Sequence, residues 1–335
     1  MTASFSQCAK LARLVPIAVL LLACVFFVAA APPASAQAWP SRPVRIVVAY
    51  PAGGATDIYA RQLAAGMQEI LGQPVLVENR AGATGIIGFD HVAKSAPDGY
   101  TLGIGLGALT IMPSLHSKLP FDVLRDFAPI SVMLYSQNVL IVNPSLPVKS
   151  VKELIALAKS QPGKLNYASS GLGATPHLSM ELLKSMAGID INHVPYKGDA
   201  PAVTDVIAGQ VQMYCSTIGG SIQHVRSGRV RALAVTGKVR AAALPDIPTM
   251  EEAGLPGYEI VSWYGLIAPA RTPPEIIDRL NAAVVKVVSN PEMREKIIAS
   301  GSDPATNTPA QFQALIRDNI ARFGEIARAA GVRPE

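Results

Sequence analysis

Cysteine and histidine are scarce in this sequence, which has three cysteines and five histidines among 335 residues. Two of the cysteines lie in the first 36 residues, a segment that we expect to be removed, so the mature chain keeps only Cys215. One thiol cannot form an internal disulfide. The histidines show none of the spacings typical of zinc ligands. The sequence therefore predicts a fold held by packing, with no disulfide, metal or other cofactor.

The motifs of nucleotide-binding proteins and hydrolases are also missing. The turn PAGGATD lacks the Gly-Lys-Ser/Thr of a phosphate-binding loop, and GLGATP has Pro176 where a dinucleotide fingerprint needs glycine. No Gly-x-Ser-x-Gly elbow occurs. The net charge of +5 is too mild to favour nucleic acid. These absences argue against an enzyme. A hydrolase or isomerase that uses His177 with Ser170 stays open as the alternative.

The N-terminal segment has the pattern of an export signal. Its only charges are two basic residues, an apolar run fills residues 14–31, and Ala-Ser-Ala ends at residue 36. This pattern predicts a signal peptide over residues 1–36, cleaved before Gln37, and an exported protein. Two alternatives are a retained membrane anchor and a lipoprotein attached through Cys24.

Short β-branched runs alternate with helical patterns along the rest of the chain. VRIVVAY, PVLVEN and YTLGIGL predict three strands with helices between them, and NVLIVNPS starts a second unit with the same rhythm. Such βαβ repeats predict α/β lobes, each a mostly parallel sheet flanked by helices. We place the two crossings near residues 138 and 261. Lobe 1 is then 37–138 plus 262–335, and lobe 2 is 139–261.

Each lobe contains a strand, a turn of small residues with hydroxyls, and the start of a helix. The two turns are Ala52–Thr56 and 169–175. The positive end of a helix offers free amides to an anion, and two such ends would suit a dicarboxylate. Asp57 competes for its helix end, so a ligand there would use the Gly53 and Gly54 amides. The alternative is purely structural, with glycines that permit a turn and Thr175 as a helix cap.

Ordered motifs over nearly the whole mature chain resemble one known family. WPSRPVRIVVAYPAGGATDIYARQLA, GQPVLVENRAGATGIIGFDHVAKSAPDGYTL, HVPYKGDAPAVTDVIAGQVQ and WYGLIAPARTP are similar to the Bug-type substrate-binding proteins of tripartite tricarboxylate transporters. The resemblance implies a monomeric, two-lobed periplasmic binding protein of the Venus flytrap type. It also implies that the protein delivers a small organic carboxylate to a permease with one large and one small membrane subunit. A sensor that presents the same ligand to a signalling partner would share this site.

The resemblance implies a set of binding residues as well. The turn after the first strand and the turn and helix start of lobe 2 resemble two arms that hold carboxylates through amides, hydroxyls and water. Family members often carry Asp or Asn where this chain has Cys215 and Ser216, and Asn at Ile86, so we expect a less polar acid. The implied site residues are Tyr50, Ala52, Gly53, Gly54, Thr56, Asp57, Gly107, Ala108, Ser170, Gly171, Thr175, His177, Cys215 and Ser216.

Overall fold

A computed structural model describes residues 39–329 and residue 331. The predicted signal peptide and its cleavage site lie outside the described residues. Within them, strands and helices alternate as the sequence pattern predicts. The strands are β1 (Val44–Val48), β2 (Val75–Asn79), β3 (Thr101–Leu106), β4 (Phe127–Val142), β5 (Asn166–Ser169), β6 (Asn192–Pro195), β7 (Met213–Thr217), β8 (Arg231–Val235), β9 (Val261–Pro269) and β10 (Asp303–Pro304).

The helices lie between and after these strands, and a short 3-10 turn at Ala83–Gly85 precedes the second of them. Among the described residues no helix is both long and apolar enough to cross a membrane. The helices are α1 (Ala55–Leu71), α2 (Ile86–Ala93), α3 (Gly107–Leu115), α4 (Val151–Ser160), α5 (Thr175–Ala187), α6 (Asp199–Ile207), α7 (Ile218–Arg226), α8 (Pro274–Ser289), α9 (Pro291–Ala299) and α10 (Pro309–Ala329).

The sheet follows the order β2-β1-β3-β9-β4-β7-β5-β6, with β8 and β10 also paired to β4. The predicted parallel pairs are present, since β1 pairs with β2 and β3, and β5 pairs with β6 and β7, all in parallel. The longer strands β4 and β9 add antiparallel pairs that the sequence did not predict. The sheet is therefore mixed, with parallel βαβ units at its two ends.

The long strand β4 divides the sheet in two. Residues Phe127 to Gln137 pair with β9, whereas Asn138 to Val142 pair with β7 and β8. We call the part built from β1, β2, β3, β9, β10 and residues 127–137 sheet A, and the part built from β5 to β8 and residues 138–142 sheet B. Each has its own apolar core, one around Phe89 and Trp263 and the other around Leu140 and Tyr167.

Three helices were missed by the sequence analysis, α9 and two that directly follow strands. Helix α3 follows β3 without a break, and helix α7 contains Gly219 and Gly220 near its start. In α3, Pro113 and a run of apolar residues hide the helical period. In α7 the paired glycines lower the helix propensity. Both helices begin where a strand ends, so they add two helix starts at the strand ends where ligands bind in α/β folds.

Candidate functional site

The turn after β1 is open to solvent and lies at the start of α1. Pro51 to Ala55 are exposed, and Gly53 has a φ of +85° in the left-handed region that glycine tolerates. Its N–H donates to Oδ2 of Asp57 at 2.9 Å. The expectation that a ligand uses this amide is therefore corrected, because the turn's own carboxylate already accepts it.

Asp57 holds the turn in place through several hydrogen bonds. Its carboxylate also accepts from Arg61 at 3.0 Å and from Nδ2 of Asn79 at 3.0 Å, and the same Asn79 amide donates to the carbonyl of Tyr50 at 3.1 Å. The Arg61 hydrogen bond and the Gly53 amide lower the pKa of Asp57 to about 2. Asp57 is thus a buried structural anion that fixes the turn, rather than a group facing a ligand.

The start of α1 still offers backbone donors. Gly54 is the N-cap and makes no side-chain cap, so the amides of Ala55 and Thr56 have neither a helical partner nor a capping side chain. Ala52 and Gly54 are exposed beside them. These amides point out of the positive end of a 17-residue helix, which favours an anion at this position.

Tyrosines form the wall behind this turn. The rings of Tyr59 and Tyr264 meet edge to face, with their centroids 5.1 Å apart. Burial, then the neighbouring hydroxyls of Tyr59 and Tyr50, raise the pKa of Tyr264, and so does the carboxylate of Asp199. Tyr264 lies on β9, so this wall belongs to sheet A.

A third helix start lies at the end of β3, which neighbours β1. Helix α3 begins at Gly107 with no side-chain cap, and Ala108 is half-buried. A Cβ on Gly107 would lie 2.8 Å from Oγ of Ser262 on β9, so only glycine fits this close approach without displacement. The predicted residues Gly107 and Ala108 therefore lie at the same edge of sheet A as the turn after β1.

The corresponding turn of sheet B follows β5 and precedes α5. Gly171 has a φ of +137°, and the half-buried Ser170 lies before it. The N-cap of α5 is Ala174, without a side-chain cap, and Thr175 is the first helical residue. The interpretation of Thr175 as the cap is therefore wrong, and the Thr175 side chain has no capping role. The start of α5, like that of α1, has no side-chain cap on its amides.

His177 lies behind this turn in a stack of rings. It is buried, its ring lies 4.3 Å from that of His193, and His193 stacks on Tyr167 at 4.9 Å. Nδ1 of His177 accepts the N–H of Gly173 at 3.2 Å. Burial, reinforced by His193, lowers the pKa of His177 to about 4. The ring is therefore neutral at pH 7 and positions the turn without supplying a cation.

Cys215 and Ser216 were predicted to line the cleft, and the structure places both out of contact with solvent. Cys215 is 0% exposed in the core around Leu140, and burial raises its pKa to about 12. Oγ of the equally buried Ser216 donates to the carbonyl of Thr217 at 3.0 Å. Neither presents an open polar group, which corrects their place in the predicted site.

The sequence analysis missed a carboxylate beside Ser170, that of Asp199. Asp199 is the first residue of α6, and its carboxylate accepts the hydroxyl of Tyr214 and, at 2.7 Å, the hydroxyl of Thr217. The N–H of Gly198, which precedes Asp199, donates to the carbonyl of Ser170 at 3.2 Å. A signal was present, because Gly198 and Asp199 repeat the pattern of a small turn before a helix. Their partners on β7 are 15 and 18 residues away and come near only in the fold.

Comparison with known proteins decides the family. The family described as "Tripartite tricarboxylate transporter family receptor" matches residues 59–332. The chain belongs to this receptor family. Its members serve transporters as substrate receptors, so this receptor is not an enzyme, and the hydrolase alternative is excluded.

Individual relatives agree over most of the chain. BugT of Bordetella pertussis is 40% identical over 305 residues, 90% of this receptor and 94% of the relative. The structure of R. palustris Rpa4515 with adipate is 38% identical with a TM-score of 0.76, and the match covers 89% of this receptor and 100% of that chain. MatC from Rhodopseudomonas palustris with bound malate is 33% identical with a TM-score of 0.70, and the match covers 86% of this receptor and 99% of that chain. The predicted fold, that of a two-lobed periplasmic binding protein, is confirmed.

Proposed function

We propose that this receptor binds a small organic carboxylate in the cleft between its lobes and delivers it to the large and small membrane subunits of a tripartite tricarboxylate transporter. The observation that carries the binding site is the set of helix starts without side-chain caps, those of α1, α3 and α5, at the ends of β1, β3 and β5. Free amides at helix starts bind anions. Adipate and malate, the ligands of two relatives, are both carboxylates.

We place the lobe boundaries where β4 and β9 lead from one sheet to the other. Lobe 1 is then 37–138 plus 262–335 and lobe 2 is 139–261. The change of pairing partners between Gln137 and Asn138, and the start of β9 at Val261, support this division to within one residue at each crossing. The two connecting strands act as the hinge. An open form accepts the acid, both arms engage it, and the membrane subunits bind the closed form.

We further propose that the receptor acts as a monomer in the periplasm after cleavage before Gln37. The membership in a family of transporter receptors supports the periplasmic location. A sensor with the same cleft would differ only in its partner. Capture of the transporter's membrane subunits by the ligand-loaded receptor in a detergent extract separates the two roles, since a sensor would leave them behind.

The role of the α1 amides is tested by removing one of them without disturbing the helix. Ala55 is the first residue of α1, a position that tolerates proline, and Gly54 before it is already extended. Ala55→Pro therefore deletes an N–H at the proposed anion site. We expect the affinity for a bound carboxylate to fall by roughly 10- to 100-fold, the effect of one hydrogen bond to a charged group.

The measurement is isothermal titration calorimetry on the mature receptor, residues 37–335, with an acid first found by a thermal-shift screen that includes adipate and malate. Ala55→Ser keeps the amide and serves as the matched control. Loss of affinity in Ala55→Pro with an unchanged melting temperature supports the site. Equal affinity in all three proteins would place the anion elsewhere.

A further inference from the structure

Asp199 places a half-buried carboxylate beside the sheet B turn where we propose that an acid binds. It begins α6 after Gly198, next to the turn that contains Ser170. The N–H of Gly198 donates to the carbonyl of Ser170 at 3.2 Å, which ties the two turns together.

The hydroxyls around Asp199 all turn their protons toward it. A carboxylate only accepts, so Tyr214 donates its single hydroxyl proton to Asp199, and Thr217 does the same at 2.7 Å. The Thr217 oxygen meanwhile accepts the N–H of Gly220 at 3.2 Å. The carboxylate of Asp199 and the hydroxyls of Tyr214 and Thr217 therefore offer a ligand only lone pairs.

The negative charge of Asp199 has no ionic partner in the protein. Among residues 42–329 no Lys, Arg or His forms an ion pair with it, whereas Asp57 on the opposite arm is paired with Arg61. A ligand carboxylate placed beside Asp199 would meet like charge and acceptors without protons. A ligand ammonium would meet a carboxylate and the Ser170 oxygen, which are strong acceptors for it.

We propose that Asp199 receives a protonated amine of the ligand, so that this receptor selects amino-substituted carboxylates over the corresponding plain acids. The inference rests on the proposed function, because it assigns a binding partner to the amino group of a solute whose carboxylate is bound at the helix starts. Asp199 then determines which acids the receptor prefers, rather than whether it binds an acid at all. An aspartate at the first position of a helix also stabilises the helix, but that role does not depend on what the ligand carries.

The test uses matched pairs of acids that differ only by a 2-amino group: succinate and aspartate, adipate and 2-aminoadipate, phenylacetate and phenylglycine. Affinities are measured by calorimetry on the mature wild-type receptor and on Asp199→Asn, which keeps the size and one acceptor. Asp205→Asn is the matched control. Asp205 lies on the same helix and accepts the Tyr196 hydroxyl at 2.7 Å, but is about 9 Å further along the axis.

We expect the wild type to bind the amino member of a pair at least about tenfold more tightly, and Asp199→Asn to lose that preference while Asp205→Asn keeps it. Equal or stronger binding of the plain acid by the wild type overturns the inference alone. An unchanged preference in Asp199→Asn, with a normal melting temperature, does so too. If no acid of either type binds the wild type, the proposed function itself is overturned.

Discussion

The backbone N–H of Gly53 donates to Oδ2 of Asp57 at 2.9 Å, so the glycine-rich turn of the first lobe is closed by its own carboxylate. This contact separates two roles that the sequence alone leaves mixed. Gly53 and Asp57 build the turn, and the next amides, those of Ala55 and Thr56, stay open to a ligand.

Asp57→Asn should destabilise the receptor in a pH-dependent way. The folded pKa of about 2 lies below the ordinary value of 3.8, so the carboxylate stabilises the fold above pH 3.8 and the contribution is lost as pH falls toward 2. Because Arg61 is half exposed, solvent screens the pair, and we expect a loss of about 1 kcal/mol at pH 7. Urea unfolding of both proteins at pH 7 and pH 3 measures this loss of unfolding free energy. A deficit that persists undiminished to pH 2 would contradict the assignment.

His177 should make the receptor less stable as the solution becomes acidic. Its folded pKa of about 4 lies below the ordinary 6.5, so the unfolded chain takes up the proton first and stability falls between pH 6.5 and 4. His177→Asn keeps an acceptor near Nδ1 and removes the titration. We expect it to flatten melting temperature against pH in this window, with a residual slope from His193, whose pKa burial also lowers. Parallel curves for the two proteins would show that His177 does not titrate there.

Cys215→Ser should fold and bind ligand as the parent does, at reduced stability. The thiol is fully buried in the core of sheet B, so a hydroxyl there costs about 1–3 kcal/mol unless it finds a partner. Calorimetry and thermal unfolding on one sample separate the two effects. We also expect the native thiol to resist a thiol reagent until the protein is denatured, since burial raises its pKa to about 12. Abolished binding with normal melting would place the thiol in the site.

Thr175→Val should weaken binding without weakening the helix. The valine has the same shape, and Ala174 rather than Thr175 is the N-cap of α5, so the unfolding free energy should change by less than about 0.5 kcal/mol. If the hydroxyl contacts the ligand acid, affinity falls by about 1–3 kcal/mol. Thr175→Ser, which keeps the hydroxyl, is the control. A variant that melts lower yet binds as tightly as the parent would assign Thr175 to stability.

Cleavage of the signal peptide should leave a defined N-terminus. Mature receptor isolated from the periplasm should begin at Gln37, because the Ala-Ser-Ala pattern ends just before it. N-terminal sequencing and intact mass measure this directly. A mass that includes a lipid on Cys24 would identify a lipoprotein instead.

The sequence predicts the parallel βαβ units well because their strands and helices have clear periods. It does not predict β4 as one strand of 16 residues, since Pro129 and the polar pair Gln137 and Asn138 look like interruptions. The structure accommodates Pro129 at a shift of register between β4 and β9. The pairing partners of β4 change at the polar pair, between Gln137 and Asn138.

The sequence predicts the positions of the turns, such as those that contain Ser170 and Ala52, where a motif and a local turn pattern coincide. The cluster of Asp199, Tyr214 and Thr217 depends on contacts between α6 and β7, which no local pattern encodes. The burial of Cys215 likewise depends on tertiary packing, because Met213 to Ser216 are all buried and both faces of β7 are therefore covered. Local signals therefore locate the turns, and tertiary contacts decide which polar groups remain free.

The strand β4 lies in both halves of the sheet, and this has a consequence for how the receptor unfolds. Its hydrogen bonds to β9 and to β7 and β8 belong to one continuous backbone, so fraying in one half removes the support of the other. Two domains joined by a loop can melt separately, but here a weakened core on either side should lower one common transition. A destabilising substitution far from the cleft should therefore lower the stability of the whole receptor.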